Sequence, residues 1–305
     1  LVVAADAAGR VVATSREGDV RWTVASANGG NENSEPVVGG GRIYFSGATE
    51  FLAIGGNGEV SGRRNLGNTE SHLFGRQVAV ANGRVYFPTD NEILLLDPAS
   101  LNETGSIPLP GGSKMSPAVA GNSVVIADQQ GSVLVLDGGN GELIRTIPAG
   151  ISQPVALAPA ISGSTAVVVG RRGTVAAVNF QAGSLLWEAP LSGDAGRGVF
   201  TTPVTDGERV YIHARRTLYV LGIDDGRELY GPITDAATPP LLRDGRLYYG
   251  NSAGELVVLD AATGAVRGKV ALPARAATRP IDLGERLAVG TASGRLVFVH
   301  PDGIR

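Results

Sequence analysis

The 305-residue chain contains no cysteine, one methionine and three histidines. Without cysteine it has no disulfide, no thiol nucleophile and no thiolate ligand for a metal. No apolar run approaches the roughly 20 residues of a membrane-spanning helix, and no signal peptide is recognisable at Leu1. Neither sign of charge is in clear excess, since the chain has 26 basic and 29 acidic residues. This balance argues against a nucleic-acid partner, because such proteins usually carry a basic face.

Glycine and proline are abundant, at 44 and 17 residues, as in a chain that turns every few residues. The stretch Arg246–Lys269, RLYYGNSAGELVVLDAATGAVRGK, shows the pattern that recurs elsewhere. Two β-branched and aromatic runs flank the polar break Asn251–Gly254, and the turn Ala261–Gly264 leads into a third extended segment. Such runs, bounded by Gly, Asn, Asp and Ser, indicate strands joined by tight hairpins. With the shorter candidate Thr238–Asp244 upstream, each unit has the four strands of a β-propeller blade.

We label the strands of each unit A to D from the inside and find six complete units and two incomplete ones. The complete units are Glu35–Leu66, Arg76–Leu109, Ser116–Ala149, Ala158–Leu191, Thr202–Ile233 and Pro239–Leu272. Leu1–Ala25 supplies strands B, C and D, and Arg279–Arg305 supplies A, B and C. The sequence therefore predicts an all-β, eight-bladed propeller spanning residues 1–305 as a single domain, with seven blades as the alternative if the end units merge. We expect residues preceding Leu1 to supply the missing strands, with a partner strand added in trans as the alternative.

A proline marks the predicted A strand of most units and recurs about every 40 residues, a period typical of propeller blades. It is the second residue of the pairs Glu35-Pro36, Ser116-Pro117, Ala158-Pro159, Thr202-Pro203, Pro239-Pro240 and Arg279-Pro280. Arg76-Gln77 is placed at the same position without the proline. Proline is tolerated on a sheet edge that has no further strand to pair with. The pattern thus predicts that strand A is the inner edge of each blade.

The predicted C–D turns begin with Asp or Asn in four units and often end in Gly, as in Asp260–Gly264. The first side chain can cap such a turn, and the glycine can take the left-handed conformation that a bulged hairpin needs. An aromatic residue stands four positions after the glycine in three units, at Trp22, Trp187 and Tyr230. This spacing predicts packing between neighbouring blades. Other units carry Gly62, Arg145 and Gly268 there.

These features together resemble the quinoprotein-like (PQQ-like) repeat: a proline-marked strand, Gly-Arg-Val-Tyr, a Leu-Asp-x-x-Thr-Gly turn and then Trp. Asp260–Gly264 and Gly183–Trp187 match it best, and the similarity extends over essentially the whole chain. The repeat occurs in large quinoprotein dehydrogenases and in smaller non-catalytic propellers of the outer-membrane-assembly BamB family. In length and repeat number the chain resembles the second group. The resemblance implies a non-enzymatic scaffold without a cofactor, located in the periplasm or cell envelope, that binds protein partners such as an outer-membrane barrel assembly factor.

The chain also departs from both groups. The lipidated cysteine expected of BamB-like proteins is absent, so we expect membrane attachment only through a lipid anchor upstream of Leu1. The dehydrogenases carry a vicinal disulfide, which this chain cannot form, and no residues match their calcium site. Two other functions stay open. One is a small-ligand or quinone-binding propeller with a funnel near Glu35, Arg76 and Arg279, and the other is a sensor or accessory module of a larger protein.

The predicted interaction surface combines arginines with one glutamate: Glu35, Arg76, Arg171, Arg172, Arg197, Arg215 and Arg279. Arg76 and Arg279 stand at the start of A strands, and the other arginines lie in B–C or D–A loops, which share one face of a propeller. Arginine recognises carboxylates with two parallel hydrogen bonds. The set therefore predicts a surface for an anion or an acidic partner, with ordinary solvated loop charge as the alternative.

Motifs for chemistry are missing: the sequence has no Walker A loop, H-E-x-x-H or G-x-S-x-G. The histidines His72, His213 and His300 stand at unrelated blade positions, which favours structural roles over a metal site. Asn28–Glu35 has alternating oxygen ligands but fewer carboxylates than a calcium loop, so we interpret it as a polar connection. The sequence therefore assigns no catalytic, cofactor-binding or metal-binding residue.

Overall fold

The computed structural model describes residues 1–6, 8–29, 35–66, 77–109, 112–113, 115–151, 157–170, 172–193 and 201–304. Within these residues the chain consists of short strands that pair antiparallel with their sequence neighbours. A 3-10 turn spans Pro301–Gly303. The strands are β1 (Val2–Ala5), β2 (Arg10–Thr14), β3 (Val20–Ala25), β4 (Val37–Gly39), β5 (Arg42–Ser46), β6 (Glu50–Gly55), β7 (Val60–Asn65), β8 (Ala79–Ala81), β9 (Arg84–Pro88), β10 (Glu92–Leu96), β11 (Glu103–Pro108), β12 (Ala118–Ala120), β13 (Ser123–Ala127), β14 (Ser132–Asp137), β15 (Leu143–Pro148), β16 (Ala160–Ser162), β17 (Thr165–Val169), β18 (Thr174–Asn179), β19 (Ser184–Pro190), β20 (Val204–Thr205), β21 (Arg209–Ala214), β22 (Thr217–Gly222), β23 (Glu228–Thr234), β24 (Leu241–Arg243), β25 (Arg246–Gly250), β26 (Glu255–Asp260), β27 (Val266–Ala271), β28 (Ile281–Asp282), β29 (Leu287–Gly290) and β30 (Leu296–Val299).

The strands of the described residues form eight sheets of consecutive strands. The first sheet, β1–β3, and the last, β28–β30, have three strands, and each of the six between them has four. The fold is therefore an all-β, eight-bladed propeller of mostly four-stranded antiparallel blades, as the sequence predicted. The seven-bladed alternative is wrong. The two three-stranded sheets contain the predicted strands B, C and D at one end of the chain and A, B and C at the other.

The chain divides into two compact units. The first comprises Leu1–Gly170 and Val178–Leu185, and the second comprises Arg171–Ala177 and Leu186–Arg305. The boundary passes through the fifth sheet, because β18 and β19 contribute residues to both units. The organisation of the chain as a single domain stays a prediction.

The landmark prolines stand directly before the first strand of their sheets. Pro36 precedes β4 and Pro117 precedes β12, for example. Proline lacks the N–H that a strand ladder needs, so pairing begins with the next residue. In the third blade β8 begins at Ala79, which puts Val78, and not Gln77, at the proline position. The predicted register of this unit was wrong by one residue, because no proline marks its position.

The second and third strands of each blade supply most of the core. Four consecutive residues are buried in both β14 and β26, as expected for strands that are covered on both faces and therefore have continuous apolar sequences. In one cluster the Phe51 ring lies 6.1 Å from the Tyr44 ring and 5.0 Å from the Phe87 ring, measured between centroids. No helix in the described part of the chain has the length and hydropathy needed to cross a bilayer.

The four C–D turns that begin with Asp or Asn are capped by this first side chain, as predicted. Asp97 Oδ1 accepts hydrogen bonds from the N–H groups of Ala99 at 3.0 Å and Ser100 at 2.8 Å. The same pair of bonds is formed by Asp137, Asn179 and Asp260. The residue four positions on takes the left-handed conformation, with φ of 60° at Leu101 and 73° at Gly264. Leu101 thus adopts a conformation for which the sequence predicted glycine.

Each of three capped turns also receives a tyrosine from the second strand of the preceding blade. The tyrosine hydroxyl donates to the main-chain carbonyl of the second turn residue. The three bonds are Tyr44 to Pro98 at 2.9 Å, Tyr86 to Gly138 at 2.6 Å and Tyr211 to Ala261 at 3.0 Å. We call this arrangement, a capped turn with a tyrosine bound to it, a closed joint between blades.

The predicted aromatic packing between blades is confirmed. Trp22 Nε1 donates to Gly56 O at 2.9 Å, and Trp187 Nε1 donates to Ile223 O at 2.7 Å, in both cases in the next C–D turn. The turn glycine leaves room for the ring, since a Cβ at Gly226 would lie 2.5 Å from the Trp187 ring. At Ala261 O both kinds of contact meet, because the hydroxyls of Tyr211 and of the outer-strand Tyr230 both donate to it.

Candidate binding surface

The structure describes four of the seven residues of the predicted interaction surface. Glu35 lies in the first unit, and Arg172, Arg215 and Arg279 lie in the second. The other three arginines, Arg76, Arg171 and Arg197, lie outside the described residues, as does His72. The interaction surface as a whole therefore stays a prediction, and each described residue has its own local setting.

Glu35 belongs to a chain of polar contacts at the inner ends of three neighbouring blades. Its Oε2 accepts a hydrogen bond from Gln77 Nε2 at 3.0 Å. The N–H of Gln77 donates in turn to the buried hydroxyl of Ser116 at 2.7 Å. All three residues stand immediately before the proline position of their blades. The exposed Glu35 carboxylate therefore also links one blade to the next.

Arg279 stands at the same position of the eighth blade. Its side chain is half-buried, and Nη2 donates to the main-chain carbonyl of Thr202, at the equivalent position of the sixth blade, at 3.5 Å. One edge of the guanidinium is therefore held by the second unit itself. The predicted place of Arg279 at the beginning of an A strand is confirmed, since β28 begins two residues later.

The buried imidazole of His213 is the neighbour of Arg279 that sequence reasoning did not single out for binding. Only 4% of His213 is exposed, and Nε2 lies 2.8 Å from Ala236 O, so Nε2 carries the proton. Burial, and then the positive charge of Arg279, lower the pKa of His213 below its ordinary value of 6.5. Within the residues that the structure describes, Nδ1 is buried without a hydrogen-bond partner, and so is the hydroxyl of Thr201, whose N–H donates to His213 O at 3.1 Å. The sequence contained no signal for this pairing.

The two arginines in the B–C turn of the sixth blade, Arg215 and Arg216, have different surroundings. Arg215 is exposed at a left-handed position, with φ of 58°. Arg216 pairs with Asp235, which also accepts a hydrogen bond from the Ser252 hydroxyl. These bonds, from Ser252 first and then from Arg216, lower the pKa of the Asp235 carboxyl below its usual range. Arg216 is therefore paired with a carboxylate, and the side chain of Arg215 beside it is exposed.

Arg172 lies in the B–C turn of the fifth blade, next to the sixth. It is exposed and makes no hydrogen bond or ion pair within the described residues. Arg172 and Arg215 therefore present positive charge from neighbouring turns of the second unit. Over the described ranges no group of three His, Cys, Asp or Glu side chains is arranged to hold a metal ion.

The chain is similar to a known protein family in sequence and to solved structures in fold. A family model described as "Outer membrane protein assembly factor BamB" matches residues 1–103, 52–270 and 203–303. A search of curated proteins by sequence found no match. The crystal structure of BamB from Moraxella catarrhalis is similar with a TM-score of 0.75 at 15% identity, over 98% of this chain and 93% of that chain. The computationally designed Ika8 protein is similar with a TM-score of 0.75 at 17% identity, over 98% and 92%.

At these identities the likeness to solved structures shows the fold alone. The family is shown by its own model, whose three matches overlap and together extend from residue 1 to residue 303. This agrees with the PQQ-like repeat in the sequence and with the eight sheets of the structure. The chain belongs to the family of the outer membrane protein assembly factor BamB.

Proposed function

We propose that the chain is a non-enzymatic scaffold that binds protein partners in the bacterial cell envelope. The observation that carries the proposal is the match of the BamB family model across nearly the whole chain. The partner we expect is an acidic surface of an outer-membrane barrel assembly factor. Membrane attachment would come only from a lipid anchor preceding Leu1.

Arg172 and Arg215 are the side chains we assign to partner binding. Both are exposed in B–C turns of adjacent blades, where a guanidinium can take a carboxylate with two hydrogen bonds. Charge at an interface mainly accelerates association and selects the partner. We therefore expect charge reversal at these positions to weaken binding more than removal of charge does.

The experiment is photocrosslinking in living cells, with p-benzoylphenylalanine placed at 172 or at 215. The matched control is the exposed C–D turn residue Asn140, at the opposite ends of the strands. We expect crosslinks to one envelope protein from 172 and 215 but not from 140, and their loss in Arg172→Glu with Arg215→Glu. Equal crosslinking from all three positions, or turnover of a substrate by the purified protein, would contradict the proposal.

A second candidate, a small-ligand or quinone-binding propeller, is favoured by the setting of His213. Nδ1 of His213 is an acceptor and the hydroxyl of Thr201 is a donor and acceptor; both are buried and neither has a partner among the described residues. A hydroquinone or another small hydroxylated molecule would satisfy both groups. The supporting observation is that these two buried polar atoms find no partner in the described part of the chain, since proteins rarely leave such atoms unsatisfied.

The test is a thermal-shift titration with 2,3-dimethoxy-5-methyl-1,4-benzoquinone and its reduced form. A ligand at a hundred times its Kd stabilises the fold by about 2.7 kcal/mol, and His213→Phe should abolish the effect of the reduced form. Because the pKa of His213 is lowered on folding, the unfolded chain binds the proton first, so stability falls as pH drops through 6.5. His213→Phe should remove that loss. No shift with either form would exclude this candidate and leave the scaffold proposal unchanged.

A further inference from the structure

The C–D turn of the eighth blade does not take the capped form of the turns that begin with Asp97, Asp137, Asn179 and Asp260. It begins with His300, which makes no side-chain hydrogen bond to the turn. The chain forms a 3-10 turn instead, in which the Gly303 N–H donates to His300 O at 3.1 Å and the Ile304 N–H donates to Pro301 O at 3.3 Å. Ile304 has φ of −91°, where Gly264 has 73°. A β-branched residue strongly resists the left-handed conformation that the capped turn requires.

This change leaves a tyrosine without its usual acceptor. Tyr248 stands at the place of Tyr44, two residues into the second strand of its blade, and Pro301 stands at the place of Pro98. Pro98 O accepts the Tyr44 hydroxyl, but Pro301 O accepts the Ile304 amide. The hydroxyl of Tyr248 forms no hydrogen bond within the described residues. The seventh blade therefore has the tyrosine donor of a closed joint, but the carbonyl that would accept its hydrogen bond is bound to another group.

An arginine is left in the same way. In the third blade Arg84 Nη1 donates to the turn carbonyls of Gly138, at 3.2 Å, and Gly139. Arg246 is the first residue of the equivalent strand β25, and its exposed side chain makes no hydrogen bond or ion pair with any described residue. Two donors that hold main-chain carbonyls elsewhere in the chain are therefore unused at the seventh blade.

Both donors line a pocket of about 250 Å³ between the seventh and eighth blades. Its wall also contains Arg243, which is occupied: Nη1 donates to Asp282 at 2.8 Å and Nε to Asp244 at 3.1 Å. Glu285 and Asp302 complete the polar lining, are exposed, and make no ion pair with the described residues. The pocket thus offers two donors and two carboxylates, in a volume below the roughly 300 Å³ of ordinary small-molecule sites.

We propose that this pocket binds a main-chain carbonyl of a partner peptide through Arg246 and Tyr248, with a lysine or arginine side chain of the same peptide paired to Glu285 and Asp302. The carbonyl is the group that the equivalent donors take inside this chain. The two carboxylates disfavour an anion and favour a cation. The site lies at the A–B and C–D ends of the strands, away from Arg172 and Arg215, so it is separate from the proposed scaffold surface.

The test is a ¹H–¹⁵N titration of the protein with acetyl-Gly-Lys-Gly-amide, compared with acetyl-Gly-Glu-Gly-amide and acetyl-Gly-norleucyl-Gly-amide. We expect weak, saturable binding of the lysine peptide, with shifts at residues 244–248 and 300–304. Tyr248→Phe should reduce the affinity about fivefold and Arg246→Gln about tenfold or more. Glu285→Gln with Asp302→Asn should abolish the preference for lysine over norleucine.

The matched control is Tyr86→Phe, whose hydroxyl is bound to Gly138; it should leave peptide binding unchanged. Tyr248→Phe should keep the unfolding midpoint of the parent protein, so loss of binding cannot come from loss of fold. Shifts confined to other residues, equal binding of the glutamate and lysine peptides, or full affinity in both donor variants would overturn the proposal. None of these outcomes bears on crosslinking from Arg172 and Arg215.

Discussion

Two C–D turns of this chain have similar sequence patterns, but one is capped by its first side chain and binds a tyrosine, and the other is not capped and binds none. In the third blade Asp97 and Pro98 follow the third strand, and Tyr44 of the preceding blade binds the Pro98 carbonyl. In the eighth blade His300 and Pro301 follow the third strand, and the Tyr248 hydroxyl of the preceding blade has no hydrogen bond to any residue that the structure describes. The tyrosine side of the joint is the same in both cases. The conformation of the turn determines whether its second residue offers a carbonyl to the tyrosine hydroxyl.

The difference comes from the first residue of the turn and the fifth. Asp97 holds two turn N–H groups with one carboxylate oxygen, and Leu101 accepts the left-handed conformation that completes the turn. His300 supplies no such cap, and Ile304 keeps an extended conformation. A closed joint therefore requires the capped turn, and a tyrosine at the equivalent position of the preceding blade does not produce one by itself.

The largest effect is expected from removing an outer-strand aromatic that docks on the C–D turn of the next blade, a contact between blades that is distinct from the closed joint. Trp187 is 8% exposed and donates to Ile223 O at 2.7 Å, so Trp187→Ala should lower the free energy of unfolding by about 3 kcal/mol or more. Trp22 makes the same contact but is half-buried. Trp22→Ala should cost clearly less in the same urea unfolding measurement, and equal losses would contradict this account of the contact.

The next effect is expected from converting the closed turn into the open kind. Asp97→His should remove the cap and, with it, the geometry that presents Pro98 O to Tyr44. The lost stability should exceed the roughly 1 kcal/mol of the tyrosine hydrogen bond alone. Asp97→Asn is the control, because Asn179 caps its turn with the same two bonds. If the two variants unfold at the same urea concentration, the cap does not control the joint.

A smaller effect separates the two tyrosines. Tyr44→Phe deletes a hydroxyl that is bound to Pro98 O, so it should cost about 1 kcal/mol. Tyr248→Phe deletes a hydroxyl with no partner among the described residues, so its unfolding midpoint should match that of the parent protein. Chemical denaturation of both variants under one condition makes the measurement. A loss of stability in Tyr248→Phe would show that its hydroxyl has a bond that the structure does not contain.

Much of the fold could be predicted from sequence because each blade repeats the same local signals. Turn glycines, capping Asp and Asn residues and the proline before each first strand gave the eight blades and their order. Where the proline was missing, the predicted register was wrong by one residue, as in the third blade, in which Val78 is at the proline position. Aromatic docking was also predictable, since Trp22 and Trp187 stand at a fixed distance from the turn glycine.

The contacts between blades were harder to predict, because each joins residues far apart in sequence. Nothing local distinguishes Tyr44, which binds its turn, from Tyr248, which does not. Likewise His213 was interpreted as structural from its isolated position, and only the fold brings Arg279 beside it. The candidate surface depended on loop arginines, and the structure shows that Arg216 is paired with Asp235 while Arg172 is exposed. Pairing partners of surface charges are not encoded in local pattern.

The smallest effect is a pH dependence of the capped turn. Hydrogen bonds from Ser100 hold the pKa of Asp97 below its ordinary value of 3.8. The folded state therefore favours the ionised carboxylate, and its contribution is complete above the unfolded pKa and disappears as pH falls through the folded one. Asp97→Asn does not titrate, so the gap in Tm between the parent and this variant should narrow on acidification. Asp260, whose pKa the Arg267 and Thr263 side chains lower to about 2, should keep its gap against Asp260→Asn to a lower pH. The eighth-blade turn has no carboxylate at this position, so a gap that stays constant for Asp97 would remove the electrostatic part of the difference between the two turns.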